Sequence, residues 1–260
     1  MNILQDILAL ASGGLVGFSL GLIGGGGSIL ALPLLLYVVG VKNPHLAIGT
    51  SALAVAVNAF ANLLPHARAG NVRWPSALIF AAMGAAGALM GSTFGKHFDG
   101  QRLLFLFALL MIVIALLMLR PRRVVAGERQ ALTGRSALKL AVVGLAAGEV
   151  AGFFGIGGGF LIVPGLILAS GMATIEAIGS SLVAVGSFGM TTAVNYAVSG
   201  LVDWPVAALF IAGGVGGGWL GAAMARHLSK SRAALNRVFA GVVITVALYM
   251  LAHSFGLLAS

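Results

Sequence analysis

Long apolar stretches separated by short polar connections dominate the pattern of this chain. The run from Ile7 to Val41 contains no Asp, Glu, Lys or Arg. Because one membrane crossing needs about 20 apolar residues, such stretches predict membrane-spanning helices. Four apolar segments occur, and each occurs twice: A (about 7–40 and 137–170), B (about 44–66 and 174–197), C (about 74–95 and 204–225) and D (about 103–119 and 234–257).

Short motifs between these segments repeat at a constant distance. Gly70–Pro75 (GNVRWP) matches Gly200–Pro205 (GLVDWP), and Gly49–Ser51 matches Gly179–Ser181, both at an offset of 130 residues. A shared offset indicates an internal duplication. The sequence therefore predicts an all-α polytopic membrane protein with two homologous halves, 1–119 and 137–260, joined by a basic linker at 120–136.

Each A segment contains a glycine cluster with a proline shortly after it. Gly24–Ser28 precedes Pro33, and Gly155–Gly159 precedes Pro164. Glycine and proline both disfavour a continuous helix. As one helix, segment A would measure about 52 Å, against a hydrocarbon core of about 30 Å. We therefore expect each A segment to fold back at its glycines, as two short spans or a re-entrant hairpin, before the three helices of B, C and D.

The charges of the connections predict the topology. If segment A makes an even number of crossings and the linker is cytoplasmic, twelve of the fifteen Lys and Arg residues lie inside, and only Lys42, Lys96 and Arg102 lie outside. A single crossing would leave eight inside and seven outside. Because basic residues concentrate on the cytoplasmic side, the pattern favours inverted repeats, with both termini outside the cytoplasm.

Composition excludes several classes of function. The chain is 60% hydrophobic and 8% charged, and its net charge of +9 lies in the connections, so nucleic acid is not an expected partner. It has no Cys and no His-x-x-x-His pair, so neither a metal site nor a cofactor is expected. Without a catalytic constellation or an ATP-binding loop, the sequence does not indicate an enzyme or an ATP-driven pump.

The two broken helices are the predicted binding site. Broken helices at corresponding places in two halves mark transporter sites, and a helix that restarts offers free N–H groups and a positive dipole end to an anion. The alternative for these glycines is close helix packing, which we expect for the isolated pairs Gly87/Gly91 and Gly217/Gly221. Alanine at Gly91, taken as an outer position, is expected to do little damage.

Segment B supplies amides and hydroxyls that can bind an oxyanion without a buried charge; the alternatives are hydrogen bonds between helices or to the helix's own backbone. The candidate substrate-binding residues of A and B are Gly24, Gly25, Gly26, Gly27, Ser28, Thr50, Ser51, Asn58, Asn62, Gly155, Gly157, Gly158, Gly159, Ser180, Ser181, Thr191 and Asn195.

Glu149 is the only acidic residue deep in an apolar segment, one turn before Gly152. An intramembrane carboxylate is a candidate functional group, and we consider it for proton coupling. The alternative is a side chain that reaches water or is merely hydrogen-bonded.

The doubled glycine-rich motif, the Gly-x-Val-x-Trp-Pro connections and the stretch Gly155–Pro164 (GIGGGFLIVP) resemble the TauE/SafE family of sulfite exporters over essentially the whole chain. The resemblance implies a secondary transporter of the inner membrane that moves small anions, sulfite or organosulfonates, with a proton or sodium ion as candidate coupling ion. A passive anion channel and a non-transporting scaffold or biogenesis factor are the alternative functions.

Overall fold

A computed structural model describes residues 3–23, 25–119, 132–227, 232–254 and 256, and the regular structure of these residues is entirely helical. Eight helices are long and apolar enough to cross a membrane, which confirms the predicted all-α membrane fold. The helices are α1 (Ile3–Ile23), α2 (25–38), α3 (Pro44–Arg68), α4 (Trp74–His97), α5 (Gly100–Leu119), α6 (Gly134–Phe154), α7 (Gly159–Ser170), α8 (Thr174–Val198), α9 (Trp204–His227) and α10 (Arg232–Ser254).

Helix α2 is irregular along its whole length. It begins as a 3-10 helix at Gly25–Leu30, makes one α-helical turn at Ala31–Pro33 and ends as a π-helix at Leu34–Val38. Proline removes a backbone donor and glycine has a low helix propensity, so the composition of this segment accounts for its changing winding. Most of the predicted linker lies outside the described residues, and α6 begins within its predicted range, with Thr133 as its N-cap.

Each half starts with a helical hairpin. The side-chain amide of Gln5, near the start of α1, donates a hydrogen bond to the carbonyl of Val39, just after α2, at 3.1 Å. In the second half, α7 runs back along α6, from Ala151 at its start to Val143 near its middle. The predicted fold-back of segment A is confirmed. Its first arm is a full-length helix of 21 residues in both halves, rather than a short span.

The hairpin of each half packs against the opposite half. Helix α1 runs parallel to α9, and α6 runs parallel to α4. A Cβ atom added at Gly17 would meet the backbone of Gly214, and one added at Gly148 would meet the backbone of Gly84. Both interfaces therefore depend on direct backbone contact, which small residues allow between transmembrane helices.

The isolated glycine pairs lie in these interfaces, which confirms their predicted packing role. A Cβ at Gly87 would meet Leu145, and one at Gly217 would meet Gly14. The prediction that Gly91 is an outer, tolerant position is wrong. It is buried, and its Cβ would meet the backbone of Glu149 and Phe153, because α4 and α6 remain in close contact to this depth.

The two B helices, α3 and α8, pack antiparallel to each other at the centre. Gly49 lies against Tyr196, while Gly186 lies against Phe60, so residue numbers rise along α3 as they fall along α8. Helix α5 packs against α10 at the periphery. The bundle is thus two intertwined halves with α3 and α8 in the middle, and these two helices have the largest buried shares of the eight spans.

Candidate functional site

The second glycine cluster makes a tight backbone turn between α6 and α7. Gly155, Gly157 and Gly158 adopt positive φ angles of 68°, 65° and 65°, which other residues rarely tolerate. Gly155 ends α6 and Gly158 is the N-cap of α7. The clustering of glycines in the sequence is therefore required by the turn itself as well as by its close surroundings.

The start of α7 carries free backbone donors. Within the described residues, no hydrogen bond involves the N–H groups of Gly157, Gly158, Gly159 and Phe160. The 3-10 part of α2 packs against α7, so the breaks of both halves meet inside the bundle. Gly24 lies outside the described residues; Gly25, Gly26, Gly27 and Ser28 belong to the 3-10 helix, in which Gly27 and Ser28 are buried.

One face of α3 lines this turn. Ser51, Val55, Asn58 and Asn62 follow one another at spacings of four, three and four residues, which places them on one helical face; we call them the α3 stripe. The Ser51 hydroxyl donates to the Gly155 carbonyl at 3.2 Å. A Cβ on Gly157 would lie 2.9 Å from Val55 Cγ1. The N-terminal half of the stripe, Ser51 and Val55, is therefore in contact with the helix break.

The C-terminal half of the stripe consists of two buried amides. Asn58 and Asn62 are 0% and 1% exposed and face Gly214 and Gly218 of α9. The side-chain amide nitrogen of Asn62 donates to the backbone carbonyl of Asn58 at 2.9 Å. Neither side-chain atom of Asn58, nor Asn62 Oδ1, has a hydrogen-bond partner among the described residues. Such groups are costly in a membrane interior unless something binds them.

Two of the candidate binding hydroxyls accept hydrogen bonds from the opposite half. Thr50 Oγ1 accepts a hydrogen bond from the Asp203 N–H, and Ser180 Oγ accepts one from the Arg73 N–H, both at 2.9 Å. Each hydroxyl thus holds the Gly-x-Val-x-Trp-Pro connection of the opposite half. These bonds give the repeated motif a structural reason; a role of the two hydroxyls in substrate binding stays a prediction.

Three other candidate side chains of segment B also form hydrogen bonds within the protein. Ser181 donates to the Ile178 carbonyl of its own helix at 2.7 Å, and Thr191 donates to the Ser187 carbonyl at 2.9 Å. Asn195 Oδ1 accepts from Lys96 Nζ at 2.8 Å. The Asn195 side chain is thus engaged by α4, and the predicted binding roles of Thr191 and Asn195 stay predictions.

The cluster around Lys96 was not predicted. Its ammonium group also donates to the Asn195 carbonyl and the Ser199 hydroxyl, both at 3.0 Å, and the Asn195 amide donates to Ser92 at 2.7 Å. These bonds tie the end of α4 to the end of α8. The sequence shows only a lysine at a segment end, so the partner helix could not be read from it.

Glu149 lies apart from the glycine turn. Two residues before Ala151, which contacts Gly158, it points to a different side of α6 and is exposed. It lines a cleft of about 530 Å³ between α4 and α6, together with Gly91, Phe94, His97, Phe98, Val150, Phe153 and Phe154. The structure does not bring this carboxylate to the predicted site.

Comparison with known proteins agrees with this architecture. The family described as "Sulfite exporter TauE/SafE" matches residues 9–250. A "Probable membrane transporter protein" of Xylella fastidiosa (strain Temecula1 / ATCC 700964) is 58% identical over 255 residues, covering 98% of both chains. "Probable membrane transporter protein YunE" of Bacillus subtilis (strain 168) is 30% identical over 238 residues, covering 83% of this chain and 87% of that protein.

No solved structure matches the chain. The family match covers nearly the whole chain, and the relatives are named as membrane transporters. The described residues contain eight apolar helices long enough to span a membrane and a helix break in each half. The chain belongs to the TauE/SafE sulfite exporter family and is a multi-pass membrane transporter.

Proposed function

We propose that the protein is a secondary transporter that moves small sulfur-containing oxyanions, sulfite or organosulfonates, across the inner membrane by alternating access. The observation that carries this proposal is the pair of buried amides, Asn58 and Asn62, with three unpartnered side-chain atoms, on the α3 stripe whose other end contacts the glycine turn. An amide N–H donates to an oxyanion without placing a permanent charge in the membrane.

The helix break supplies a second set of donors. The free N–H groups of Gly157–Phe160 lie at the N-terminus of α7, where backbone dipoles favour negative charge. Val55, which contacts Gly157, is one helical turn from Asn58 on the α3 stripe. An anion bound here is held by several neutral donors, so it can also be released when the helices move.

Replacing Asn58 with leucine tests the site. Leucine has the same number of side-chain heavy atoms and the same branch at Cγ, and it removes a donor and an acceptor that have no partner among the described residues. Exchanging an unsatisfied polar group for an apolar one does not weaken a fold and can stabilise it. We therefore expect the Asn58→Leu variant to keep or raise its melting temperature while uptake of sulfite and sulfonates into proteoliposomes falls at least about tenfold, the loss of roughly one charge-assisted hydrogen bond.

Asn195→Leu is the matched control, because it removes the same chemical group from a position where the amide is fully engaged. It should lower stability more than Asn58→Leu does. Normal uptake by a folded Asn58→Leu protein would contradict the proposed site. Uptake that no proton or sodium gradient can drive uphill would indicate a passive channel instead.

The topology is part of the proposal. The antiparallel packing of the matching helices α3 and α8 supports inverted repeats, and the distribution of Lys and Arg supports a cytoplasmic linker with both termini outside. A C-terminal reporter that is active only in the cytoplasm should be silent, and the same reporter inserted in the 120–131 connection should be active. A strong C-terminal signal would rule out this orientation.

Coupling to a proton or sodium ion is proposed without assigning a residue. Glu149 is exposed in its own cleft and has no contact with the glycine turn in the described structure. Uptake measured under separate proton and sodium gradients identifies the coupling ion directly.

A further inference from the structure

The two central helices carry the same stripe with different chemistry. At an offset of 130 residues, the α3 stripe corresponds to Ser181, Val185, Phe188 and Thr192 on α8, which we call the α8 stripe. Serine and valine are the same in both. The two positions that hold asparagine on α3 hold Phe188 and Thr192 on α8, so only one half carries the pair of carboxamides.

The structure shows that these positions are equivalent in space as well as in sequence. A Cβ at Gly214 of α9 would meet the Asn58 amide, and a Cβ at Gly84, the matching residue of α4, would meet the Phe188 ring. Both side chains are 0% exposed. Each therefore covers the equivalent glycine, which belongs to the opposite half.

The valines of the two stripes lie against the same residue of the helix break. A Cβ on Gly157 would lie 2.9 Å from Val55 Cγ1 and 3.3 Å from Val185 Cγ1. Because α3 and α8 are antiparallel and Gly189 lies against Ala56 at 3.1 Å, Asn58 and Phe188 lie at a similar depth. The two sides of the central region are thus unlike: one has unpartnered amides, and the other has an aromatic ring.

The surroundings of the Phe188 ring include a second aromatic side chain. Phe188 stacks on Phe80 of α4, with ring centroids 6.1 Å apart and an angle of 14° between the planes, and both rings are fully buried. The matching residue of Phe80, Phe210, has no such partner at position 58 because that position is asparagine. An apolar group of a ligand would find two aromatic rings on this side.

We propose that the two repeats bind different parts of the substrate: Asn58 and Asn62 bind the oxyanion head, and Phe188 with Phe80 contacts an organic substituent. Phe188 is then the residue that sets specificity. The inference rests on the proposed function and adds the orientation of the substrate and the residue that selects it. The favoured substrate is an organic oxyanion with a short apolar substituent, because inorganic sulfite leaves the ring side without a partner.

A chain-length series in proteoliposomes tests this inference on the unmodified protein. Inhibition of sulfite uptake by methane-, ethane-, propane- and benzenesulfonate is measured at one ionic strength. Burial of a methylene group is worth roughly fourfold in affinity, so apparent affinity should rise by up to roughly that factor for each added carbon until the space is filled. Inorganic sulfite should bind more weakly than propanesulfonate.

Two variants then assign the effect to Phe188. Phe188→Asn gives the second half the residue of the first and should flatten the chain-length dependence while sulfite is still carried. Phe188→Leu keeps an apolar side chain and should retain the dependence. If Phe188→Asn does not fold, the chain-length series on the unmodified protein and on Phe188→Leu is the test, and a series without any dependence on chain length contradicts the proposal.

Sulfite binding as tightly as every sulfonate, or a folded Phe188→Asn variant with an unchanged chain-length dependence, would overturn this division of the substrate between the repeats but leave the transporter function intact. Absence of uptake for every oxyanion, with the protein folded and inserted, would instead overturn the proposed function.

Discussion

Alanine at Gly158 is expected to reduce transport by more than about tenfold while the protein still inserts into the membrane. Gly158 is the N-cap of α7 at φ 65°, and the added Cβ would lie 2.5 Å from the Ala151 Cβ. A non-glycine residue in this backbone conformation costs about 1–3 kcal/mol, and the overlap adds a similar amount. The start of α7 must shift, and its N–H groups shift with it. Uptake per correctly inserted protein is the measurement.

Gly200→Ala is the matched control for backbone strain. Gly200 has nearly the same φ, 69°, but nothing lies within 4 Å of an added Cβ. It carries the conformational cost without the contact, and it lies in a connection rather than at the helix break. Equal loss of uptake in both variants would mean that backbone strain alone is responsible and that the position of α7 does not matter.

Valine at Gly17 is expected to destabilise the native bundle. The added side chain would overlap the backbone of Gly214, and backbone atoms cannot move aside as a side-chain end can. Overpacking commonly costs about 1–3 kcal/mol; at roughly 2–4 °C per kcal/mol, the melting temperature should fall by roughly 2–12 °C. Thermal unfolding and monodispersity in detergent are the measurements.

Gly148→Val tests the equivalent interface between α6 and α4, where the side chain would overlap Gly84, and it should behave in the same way. Gly216→Ala is the control: it is on α9 with nothing within 4 Å of an added Cβ, and alanine favours a helix over glycine by up to about 1 kcal/mol. A stable Gly17→Val protein would show that the parallel α1–α9 contact is not required for folding.

The hydropathy pattern was sufficient for the class of fold and for most helix boundaries. Segment B was predicted at about 44–66 and 174–197, and the structure has Pro44–Arg68 and Thr174–Val198. Length and the absence of charge are local properties that decide membrane insertion before any tertiary contact forms. The fold-back of segment A followed from the same reasoning, because clustered glycines and a proline act within a few residues of themselves.

Aligning the two halves residue by residue also reveals a difference between them in segment B. The offset of 130 residues pairs Asn58 with Phe188, and this difference could have been found by aligning the halves within segment B. The sequence could not show that both residues cover a glycine of the other half, since that depends on which helices become neighbours.

The choice of helix neighbours was decided by the tertiary structure alone. Thr50 and Ser180 have the same apparent chemistry as Ser51, yet they hold distant loops, because segment C of each half starts beside segment B of the other. Gly91 was misplaced for a related reason: one apolar helix can face lipid or another helix without a change in its composition. The sequence by itself determined which segments cross the membrane and where they break; the long-range packing of α1 on α9, α4 on α6 and α3 on α8 decided which polar groups are used up in the scaffold and which remain free to bind.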